Sequence, residues 1–396
     1  MLPGNAGESV TPTYLEAFRG TRVLVTGHTG FKGSWLTVWL RSLGAEVHGL
    51  ALPPESEPSL FHMASVGDGV HSTYADIRHL DAVRESFVAS NPEIVFHLAA
   101  QSLVRRSYQM PVDTYATNVM GTLHVLEAAR TSPDLRAVVI VTSDKCYENL
   151  ETLRSYGETD ALGGADPYSS SKACAELVSA SYRRSFFAHE DSALVATARA
   201  GNVIGGGDWA QDRLVPDIAR AIGSGKPVVV RNPNSIRPWQ HVLEPLRGYL
   251  MLGAGLLDGE ADLAGGWNFG PGDKGDMSVE QLTGRMVQVW GNDTIVQLQE
   301  EDGPHEAGLL RLDISKARES LGYEPLIDQE RMIEWTVDWY RTCIDDPSQA
   351  RAVTDQQIES YMGLLESGLQ VDREPSRSSV SDQFDGDSGK PESELA

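Results

Sequence analysis

Positive charge is scarce in this chain, whose 396 residues include 33 lysines and arginines against 56 aspartates and glutamates. The formal net charge of −23 leaves no basic face to neutralise phosphates, which argues against nucleic acid or an anionic membrane as a partner. Cysteine is equally scarce. Because Cys146, Cys174 and Cys343 stand far apart without a CxxC pair, we expect a reducing, cytoplasmic environment, and neither a disulfide framework nor structural zinc.

Long apolar runs are missing as well. No stretch approaches about eighteen uninterrupted apolar residues, the length that a membrane-spanning helix needs. The N-terminal "MLPGNAGESVTPTYLEAFRG" has no basic segment followed by an apolar run, so it does not indicate a secretory signal. His97, His241 and His305 lack the spacing of metal ligands, and we predict no metal site.

Apolar strands alternate with helical segments through the first half of the chain. The strand-like runs are "TRVLVTG", "AEVHGLAL", "EIVFHLAA", "AVVIVTS" and "ALVATARAGNV". Amphipathic segments separate them, among them "DAVRESFVAS", for which Asp81 is the expected N-cap. This order predicts an α/β fold with a doubly wound, Rossmann-type parallel sheet covered on both faces.

Beyond residue 200 the sequence becomes rich in loops, which indicates a smaller, mixed α/β C-terminal lobe for substrate. We expect residues 15–200 and about 243–267 to form the dinucleotide-binding domain, and about 201–242 and 268–365 to form the smaller lobe. Residues 371–396 are polar and nearly devoid of large apolar side chains, so an acidic, disordered tail is predicted there.

A glycine-rich loop follows the first strand in "VLVTGHTGFKG". Gly27, Gly30 and Gly33 have the spacing that lets backbone N–H groups approach a pyrophosphate at a helix N-terminus. Surface turns imitate a lone glycine triad, but here the strand–loop–helix context is present. The second strand ends in "GLALPPE", without an arginine for a 2′-phosphate, which favours NAD over NADP. Asp76 either reaches the adenine amino group or serves only a turn or helix cap.

Two further sequence patterns indicate catalytic residues. In "PYSSSK", Tyr168 and Lys172 stand one helical turn apart, and an ammonium at that distance stabilises the phenolate of a tyrosine that acts as a base. In "VTSDKCYEN", Ser143 is followed by an acid, Asp144, and an amine, Lys145, at the end of a buried strand. The alternative for the last two residues is a mutual ion pair without a catalytic role.

These motifs resemble the extended short-chain dehydrogenase/reductase family, in its nucleotide-sugar branch. "VTGHTGFKGSWL", "HLAAQSLVR", "TYATNVMGT", "TSDKCYEN", "RAGNVIGGGDWAQDRLVPD", "IRPWQHVLEPLRGY" and "WNFGP" are similar to the CDP-glucose 4,6-dehydratase group, over residues 15–345. Related dehydratases have a glutamate after the strand-end acid, whereas this group has a lysine, as at Lys145. The segment "ETLRSYGETDALGG" keeps only Tyr156 and Glu158 of a tryptophan-rich family pattern, which puts its sugar contacts in doubt.

The resemblance implies an NAD-dependent lyase that converts CDP-D-glucose to CDP-4-dehydro-6-deoxy-D-glucose in deoxysugar biosynthesis. It implies that Ser143 polarises the C4 hydroxyl, Tyr168 removes its proton and Lys172 holds the nicotinamide ribose. Asp144 would then be the acid toward O6, and Lys145 the base at C5 or its relay. The resemblance also implies that Tyr168 and Lys172 contact the cofactor. The other implied cofactor contacts are Gly27, Gly30, Phe31, Lys32, Gly33, Asp76, Ile77, Leu98, Ala99, Ala100 and Asn118.

The substrate diphosphate needs local positive charge in this acidic chain. Arg237 is the first candidate and Arg213 the second, because a guanidinium suits bidentate phosphate recognition. Trp209 and Trp239 either line a base pocket or pack between lobes. The remaining substrate-contact candidates are Gln101, Asn202, His241 and Asn268, although an asparagine beside glycine often serves only a turn.

Alternatives to this function remain open. A different nucleotide-sugar dehydratase or a 4-epimerase would use the same scaffold, although an epimerase has no use for an acid and a base at C5 and C6. A non-catalytic NAD-binding protein would be expected to lose Tyr168 or Lys172, and both are present. The family also implies a homodimer, formed through helices around residues 118–130 and 168–187.

Overall fold

The strands of the computed structural model, which describes residues 12–152, 154–272, 275–291, 294–299 and 309–373, build one large sheet and three small ones. The strands are β1 (Arg22–Thr26), β2 (Glu46–Ala51), β3 (His71–Tyr74), β4 (Ile94–His97), β5 (Ala137–Val141), β6 (Leu194–Arg199), β7 (Val203–Ile204), β8 (Val228–Arg231), β9 (Ile236–Pro238), β10 (Gln240–His241), β11 (Gly266–Asn268), β12 (Asp276–Ser278) and β13 (Val296–Gln299).

Helices connect these strands. They are α1 (Phe31–Ser42), α2 (Leu60–Met63), α3 (Leu80–Ser90), α4 (Val104–Gln109), α5 (Pro111–Tyr115), α6 (Gly121–Ala129), α7 (Pro167–Phe186), α8 (Leu214–Gly223), α9 (Leu243–Leu257), α10 (Val279–Trp290), α11 (Ser315–Leu321), α12 (Gln329–Asp345) and α13 (Ala350–Arg373). A π-helical turn, Ala116–Met120, joins α5 to α6, and short 3₁₀ helices cover Thr13–Phe18, Asp144–Cys146, Ala261–Leu263 and Pro347–Gln349.

The large sheet has seven strands in the order β11-β6-β5-β4-β1-β2-β3, and every pairing is parallel. The chain moves outward in one direction through β1, β2 and β3 and then in the other from β4. The order therefore reverses beside β1, and the crevice outside the carboxyl ends of β1 and β4 is where such sheets bind ligands. The predicted doubly wound, Rossmann-type sheet is confirmed.

Both faces of this sheet are buried, as the apolar strand sequences predict. Along β5, Val138 and Ile140 pack with α3 and α6 on one face, whereas Val139 and Val141 face the larger core on the other. Helix α9 covers that second face. It is buried almost all round, as expected for a helix that is apolar on every side.

The smaller lobe is built from the remaining strand pairs. Strands β7 and β10 pair in parallel, as do β8 and β13, whereas β9 and β12 are antiparallel. Helix α13 leads back to the large sheet. There the Tyr361 hydroxyl donates to Glu244 Oε2 of α9 at 2.9 Å, and the Tyr361 ring meets Trp39 of α1 edge-on.

Two local predictions are corrected. Helix α3 begins two residues earlier than predicted: its N-cap is His79 instead of Asp81, without a side-chain cap bond, and Asp81 lies inside the first turn. Residues 371–373 belong to helix α13, and the rest of the predicted tail lies outside the described residues. Over the described part of the chain, no helix is long and apolar enough to cross a membrane.

Candidate active site

The glycine loop between β1 and α1 has the geometry of a phosphate cradle. Gly27 has φ +76°, and a Cβ placed there would lie 2.7 Å from the Ala99 nitrogen, so glycine is required for packing. Gly30 is the N-cap of α1 and provides no side chain to bond the N–H groups of the first turn. Uncapped N–H groups at a helix N-terminus are a binding site for an anion, so this loop fits a dinucleotide pyrophosphate.

Asp76, predicted to face adenine, is engaged in a turn. Its Oδ1 accepts from the Arg78 backbone N–H at 2.9 Å, and its Oδ2 accepts from Arg78 Nη2 at 2.7 Å. Arg78 continues to Asp113 Oδ1 at 3.0 Å. The neighbouring Ile77 is buried and fills the space above Gly121. Of the two roles predicted for Asp76, its contacts in the protein without cofactor are therefore those of a turn residue.

Asn118 connects the loop after β4 to helix α7. Its Oδ1 accepts from the Gln101 N–H at 2.8 Å, and its Nδ2 donates to the Gln101 carbonyl and to Ser171 Oγ, each at 2.9 Å. Leu98, Ala99 and Ala100, three of the expected cofactor contacts, precede this contact at the carboxyl end of β4. The Gln101 side chain instead bonds Leu103 and Thr114 within its own region, and it lies outside the cavity lining.

The stretch Ser143–Lys145 forms a polar turn at the end of β5. Ser143 caps the short 3₁₀ helix by accepting from the Lys145 N–H at 3.2 Å, and that N–H also reaches Asp144 Oδ1 at 2.9 Å. The Ser143 hydroxyl donates to Asp144 Oδ1 at 2.9 Å, and Asn202 Nδ2 donates to Asp144 Oδ2 at 3.4 Å. Among the described ion pairs, none joins the Lys145 ammonium to the Asp144 carboxylate, contrary to the non-catalytic alternative.

A cavity of about 320 Å³ opens above this turn, between the large sheet and the smaller lobe. It brings together most of the predicted polar site residues. It also includes Lys32, which was predicted to contact only the cofactor. Its lining includes Lys32, Ser143, Asp144, Lys145, Tyr168, Asn202, Arg213, Arg237 and Trp239.

Tyr168 and Lys172 lie at the start of α7, which Asp166 caps by accepting from the Ser169 N–H at 3.0 Å. Burial raises the pKa of Tyr168 to about 12, although a hydrogen bond with Ser143 opposes the shift. Burial lowers the pKa of Lys172 to about 8, and Glu176, one turn further along α7, opposes that change. Lys172 Nζ donates to the Val141 carbonyl at 3.3 Å. The ammonium is thereby fixed beneath the strand end that carries Ser143.

A buried ion pair supports the strand end from behind. Arg199 Nη2 lies 2.8 Å from Glu176 Oε2, and Glu176 also accepts hydrogen bonds from Thr142 and Thr197. Arg199 Nη1 donates to the Tyr147 hydroxyl at 2.6 Å. Because Thr142 and Tyr147 flank the Ser143–Lys145 turn, the ion pair holds both of its ends.

Besides Gln101, three more predicted contacts lie outside the cavity lining. His241 is fully buried edge-on against Trp35 and Trp335, and burial lowers its pKa to about 3. Asn268 is also buried: its Oδ1 accepts from the Tyr147 hydroxyl at 2.8 Å and its Nδ2 donates to the Tyr156 carbonyl at 2.9 Å. Trp209 packs edge-on against Tyr340. We assign all three to packing and to joining the two lobes rather than to substrate.

The segment that departs from the family pattern also lies behind the site. Tyr156 stacks on Tyr147 at 5.3 Å between ring centroids, and Glu158 Oε1 accepts from the Asn268 N–H at 3.0 Å. None of the described residues between 150 and 160 lines the cavity. For metals, the described residues contain no cluster of three histidine, cysteine or carboxylate side chains, and His305 lies outside them.

The structure adds two features that the sequence analysis missed. Gly201 faces Asp144 so closely that a Cβ there would lie 1.8 Å from Asp144 Oδ2. Arg231, at the end of β8, lines the cavity with Asp212 and Asp217. The signal for Arg231 was available in "VVVRN", a charged side chain at the end of an apolar strand, which resembles the pattern that pointed to Asp144. Nothing in the sequence distinguishes Gly201 from a turn glycine.

We expect Lys172→Met to stabilise the protein in the absence of ligands. The pKa of Lys172 falls from 10.5 to about 8 on folding, so at pH 7 its charge opposes folding by up to about 3 kcal/mol. The unfolded chain binds the extra proton between pH 8 and 10.5, so the gain is complete below pH 8 and disappears as the pH rises to 10.5. Urea unfolding at several pH values measures this gain in the free energy of unfolding. Lys226→Met, at an exposed lysine, is the control. Equal effects of the two substitutions would contradict the prediction.

The chain belongs to the family described as GDP-mannose 4,6 dehydratase, whose model matches residues 24–336. Within the wider group of nucleotide-sugar enzymes, it is 49% identical to CDP-glucose 4,6-dehydratase of Salmonella typhimurium, over 87% of this chain and 97% of the relative. UDP-glucose 4-epimerase of Mycolicibacterium smegmatis is 29% identical, over 81% of this chain and 98% of that protein.

Solved structures share the fold. The dTDP-glucose 4,6-dehydratase DesIV of Streptomyces venezuelae, solved as a double mutant with NAD bound, superposes with a TM-score of 0.70 at 25% identity, covering 81% of this chain and 97% of that one. UDP-glucose 4-epimerase of Thermus thermophilus, in complex with NAD, also gives a TM-score of 0.70 at 25% identity, covering 81% of this chain and 99% of that one.

Proposed function

We propose that this protein dehydrates CDP-D-glucose to CDP-4-dehydro-6-deoxy-D-glucose, as a step in deoxysugar biosynthesis. The observation that carries the proposal is the meeting of Tyr168, Asp144 and Lys145 in one cavity, because the reaction needs a base at the C4 hydroxyl and an acid and a base at C6 and C5. The 49% identity to the Salmonella typhimurium enzyme supports the choice of substrate.

NAD is the proposed cofactor. The cradle of Gly27, Gly30 and Gly33 would bind its pyrophosphate, with Phe31 and Lys32 in the first turn of α1. Ile77, the strand end Leu98–Ala100 and Asn118 would complete the site. When bound, NAD accepts a hydride from the sugar and later returns it, so the overall reaction needs no external oxidant. We propose that residues 15–200 and about 243–267 form this cofactor domain, and that about 201–242 and 268–365 bind the nucleotide sugar.

In the oxidation step, Tyr168 takes the proton of the C4 hydroxyl. The high pKa of Tyr168 in the protein alone, about 12, means that the phenolate needs help, which the Lys172 ammonium one turn away supplies through its positive charge. Ser143, hydrogen-bonded to the Tyr168 side chain, orients and polarises the same hydroxyl. The product of this step is a ketone at C4.

In the elimination step, the ketone acidifies the C5 hydrogen. Lys145, whose side chain reaches the cavity without an ion pair to Asp144, removes that proton as the base. Asp144 donates a proton to O6, so the C6 hydroxyl leaves as water. The hydrogen bonds from Ser143, the Lys145 N–H and Asn202 fix the Asp144 carboxyl for this transfer. Reduction at C6 and reprotonation at C5 by Lys145 complete the product. The proton that Tyr168 took from the C4 hydroxyl then passes to Asp144 through Ser143, which is hydrogen-bonded to both side chains, so each residue recovers its starting state.

A 4-epimerase would use Tyr168 and Lys172 in the same way, but it would have no role for Asp144 and Lys145. To test the proposal, the purified protein is incubated with CDP-glucose, and the alkaline ultraviolet absorbance of a 4-keto-6-deoxy sugar is followed. UDP-, dTDP- and GDP-sugars serve as comparisons. Formation of CDP-galactose, or turnover of another nucleotide sugar but not of CDP-glucose, would refute the proposal.

Substitution Gly201→Ala is expected to impair elimination. A Cβ at Gly201 would lie 1.8 Å from Asp144 Oδ2, so the carboxyl must move, and a displacement of about 1 Å at a reacting group costs about 10²-fold in rate. Product formation is measured by alkaline absorbance. Gly284→Ala is the control, because no atom lies within 4 Å of a Cβ built there. Unchanged turnover in the Gly201 variant would contradict the assigned role of Asp144.

We also propose a cytoplasmic homodimer, formed through the helices around residues 118–130 and 168–187. Exposed apolar side chains on this side support the proposal, among them Val112, Met120, Leu177 and Phe186. Large exposed apolar side chains on neighbouring helices are a feature of protein interfaces. Light scattering on the purified protein tests it, and a monomer at micromolar concentration would contradict it.

A further inference from the structure

A second polar cluster lines the cavity away from Asp144. Arg231, the last residue of β8, donates from Nη1 to Asp212 Oδ1 at 3.0 Å and from Nη2 to Asp217 Oδ2 at 3.2 Å. Asp217 lies in the first turn of α8, and its Oδ1 accepts from Arg220. We call Asp212, Asp217 and Arg231 the Asp–Arg cluster. The catalytic scheme above uses none of its members.

Arg213 interacts with the catalytic side of the cavity, whereas the residue before it belongs to the Asp–Arg cluster. The Arg213 guanidinium donates to Asp208 Oδ2 and to Ser102 Oγ, each at 2.9 Å. Its positive charge opposes the rise that burial causes in the pKa of Tyr168. The preceding residue, Asp212, bonds Arg231 instead. With the sugar at Tyr168, as the proposed function has it, and the diphosphate at Arg213, the second of the two arginine candidates, the Asp–Arg cluster lies where the nucleoside extends.

The walls beside the cluster suit a flat ring. Val229 of β8 and Val279 at the start of α10 both line the cavity, and Val229 is 46% exposed in the protein alone. The cluster itself places a carboxylate acceptor directly beside guanidinium donors. A carboxylate has about four lone-pair sites and a guanidinium has about five N–H donors, so each of these groups can bond several partners at once.

We propose that the Asp–Arg cluster selects cytosine as the base of the substrate. This rests on the proposed function for the orientation of the nucleotide in the cavity. Asp217 accepts a hydrogen bond from the exocyclic N4 amino group, and Arg231 donates to N3 and O2 of the same ring. Aspartate is a recognised partner for the cytosine amino group, and cytosine presents this donor and these acceptors along one edge.

The same arrangement rejects uracil and thymine. Both carry a carbonyl oxygen at position 4, which would face the Asp217 carboxylate, and an N3–H, which would face the Arg231 donors. Selectivity therefore arises from repulsion of the wrong base as well as from attraction of the right one. The adenine and guanine rings, which are larger, differ in shape as well.

Nucleoside diphosphates test this proposal without any turnover. CDP and UDP differ only at position 4 and at the N3 proton, and calorimetry on the full chain measures both affinities. We expect CDP to bind about 10- to 100-fold more tightly than UDP, as a good pair of base contacts provides. Asp217→Asn, whose amide can donate to a 4-oxo group, should weaken CDP by a similar factor and leave UDP unchanged or tighter.

Asp338→Asn is the matched control, since Asp338 is an exposed carboxylate that pairs with Arg341, and it should change neither affinity. Equal binding of CDP and UDP by the unaltered protein, or an equal loss of both in the Asp217 variant, would overturn the proposal. If the Asp217 variant does not fold, Arg231→Lys replaces it: lysine keeps the charge but not the planar fork, so the CDP preference should shrink.

The two proposals fail separately. A protein that prefers CDP but does not dehydrate CDP-glucose would refute the proposed reaction and leave the base assignment standing. A protein that dehydrates CDP-glucose but binds CDP and UDP equally would refute the base assignment alone.

Discussion

Substitution Tyr168→Phe is expected to lower turnover of CDP-glucose by about 10²- to 10⁴-fold, the usual contribution of a general base. The change removes only the phenolic oxygen of a residue that lies in the cavity wall and shares a hydrogen bond with Ser143. Because every later step depends on the C4 ketone, no step should proceed. Mixing with substrate should therefore give neither the absorbance of reduced nicotinamide nor the alkaline signal of product.

Tyr182→Phe is the matched control for this change. Tyr182 lies on the same helix, and its hydroxyl donates to Glu127 Oε2 at 3.3 Å, outside the cavity. It should keep full activity. If the Tyr168 variant still reduced the nicotinamide at the normal rate, Ser143 or another group would have to be the base.

Lys145→Ala is expected to separate the two halves of the reaction. Oxidation at C4 should continue, because Tyr168, Lys172 and Ser143 remain. Elimination should slow by about 10²- to 10⁴-fold through loss of the C5 base. The variant should then accumulate a 4-keto sugar that keeps its C6 hydroxyl, together with reduced nicotinamide, and it should lose exchange of the C5 hydrogen with deuterated solvent.

Lys145→Glu provides a rescue test, because a carboxylate at this position would again supply a base. We expect it to recover part of the elimination rate and part of the C5 exchange. Should Lys145→Ala and Tyr168→Phe both abolish oxidation to the same degree, the assignment of Lys145 to the second half of the reaction is wrong.

The large sheet and the catalytic turn were predictable from sequence because local patterns specify them. The β-branched run Ala137–Val141 can only be a buried strand, and the glycines after β1 fix the cofactor cradle. Parallel strands bring their carboxyl ends to one edge of the sheet, so Ser143 and Asp144 had to face the same crevice as that cradle.

Residues that follow strand β6 were harder to place, because long-range packing decides their environment. His241 and Asn268 have polar side chains next to loops, which suggested substrate contacts, yet tertiary packing buries both completely. Arg231 and Asp217 are 14 positions apart in sequence, and only the packing of α8 beside β8 brings their side chains together. Gly201 is similar: its importance depends on Asp144, which comes from a different strand.

The position of β11 at the edge of the large sheet affects how the chain folds during its synthesis. Strand β6 leaves the sheet at Arg199, and its partner β11 begins only at Gly266, after the whole first half of the smaller lobe. A nascent chain that ends before that point has an open β6 edge, and before residue 243 it also lacks the apolar helix α9 that covers β5. The unpaired backbone groups of an open strand edge can form hydrogen bonds with other chains. We therefore expect fragments that stop before Asn268 to associate with other chains more readily than fragments that extend past it.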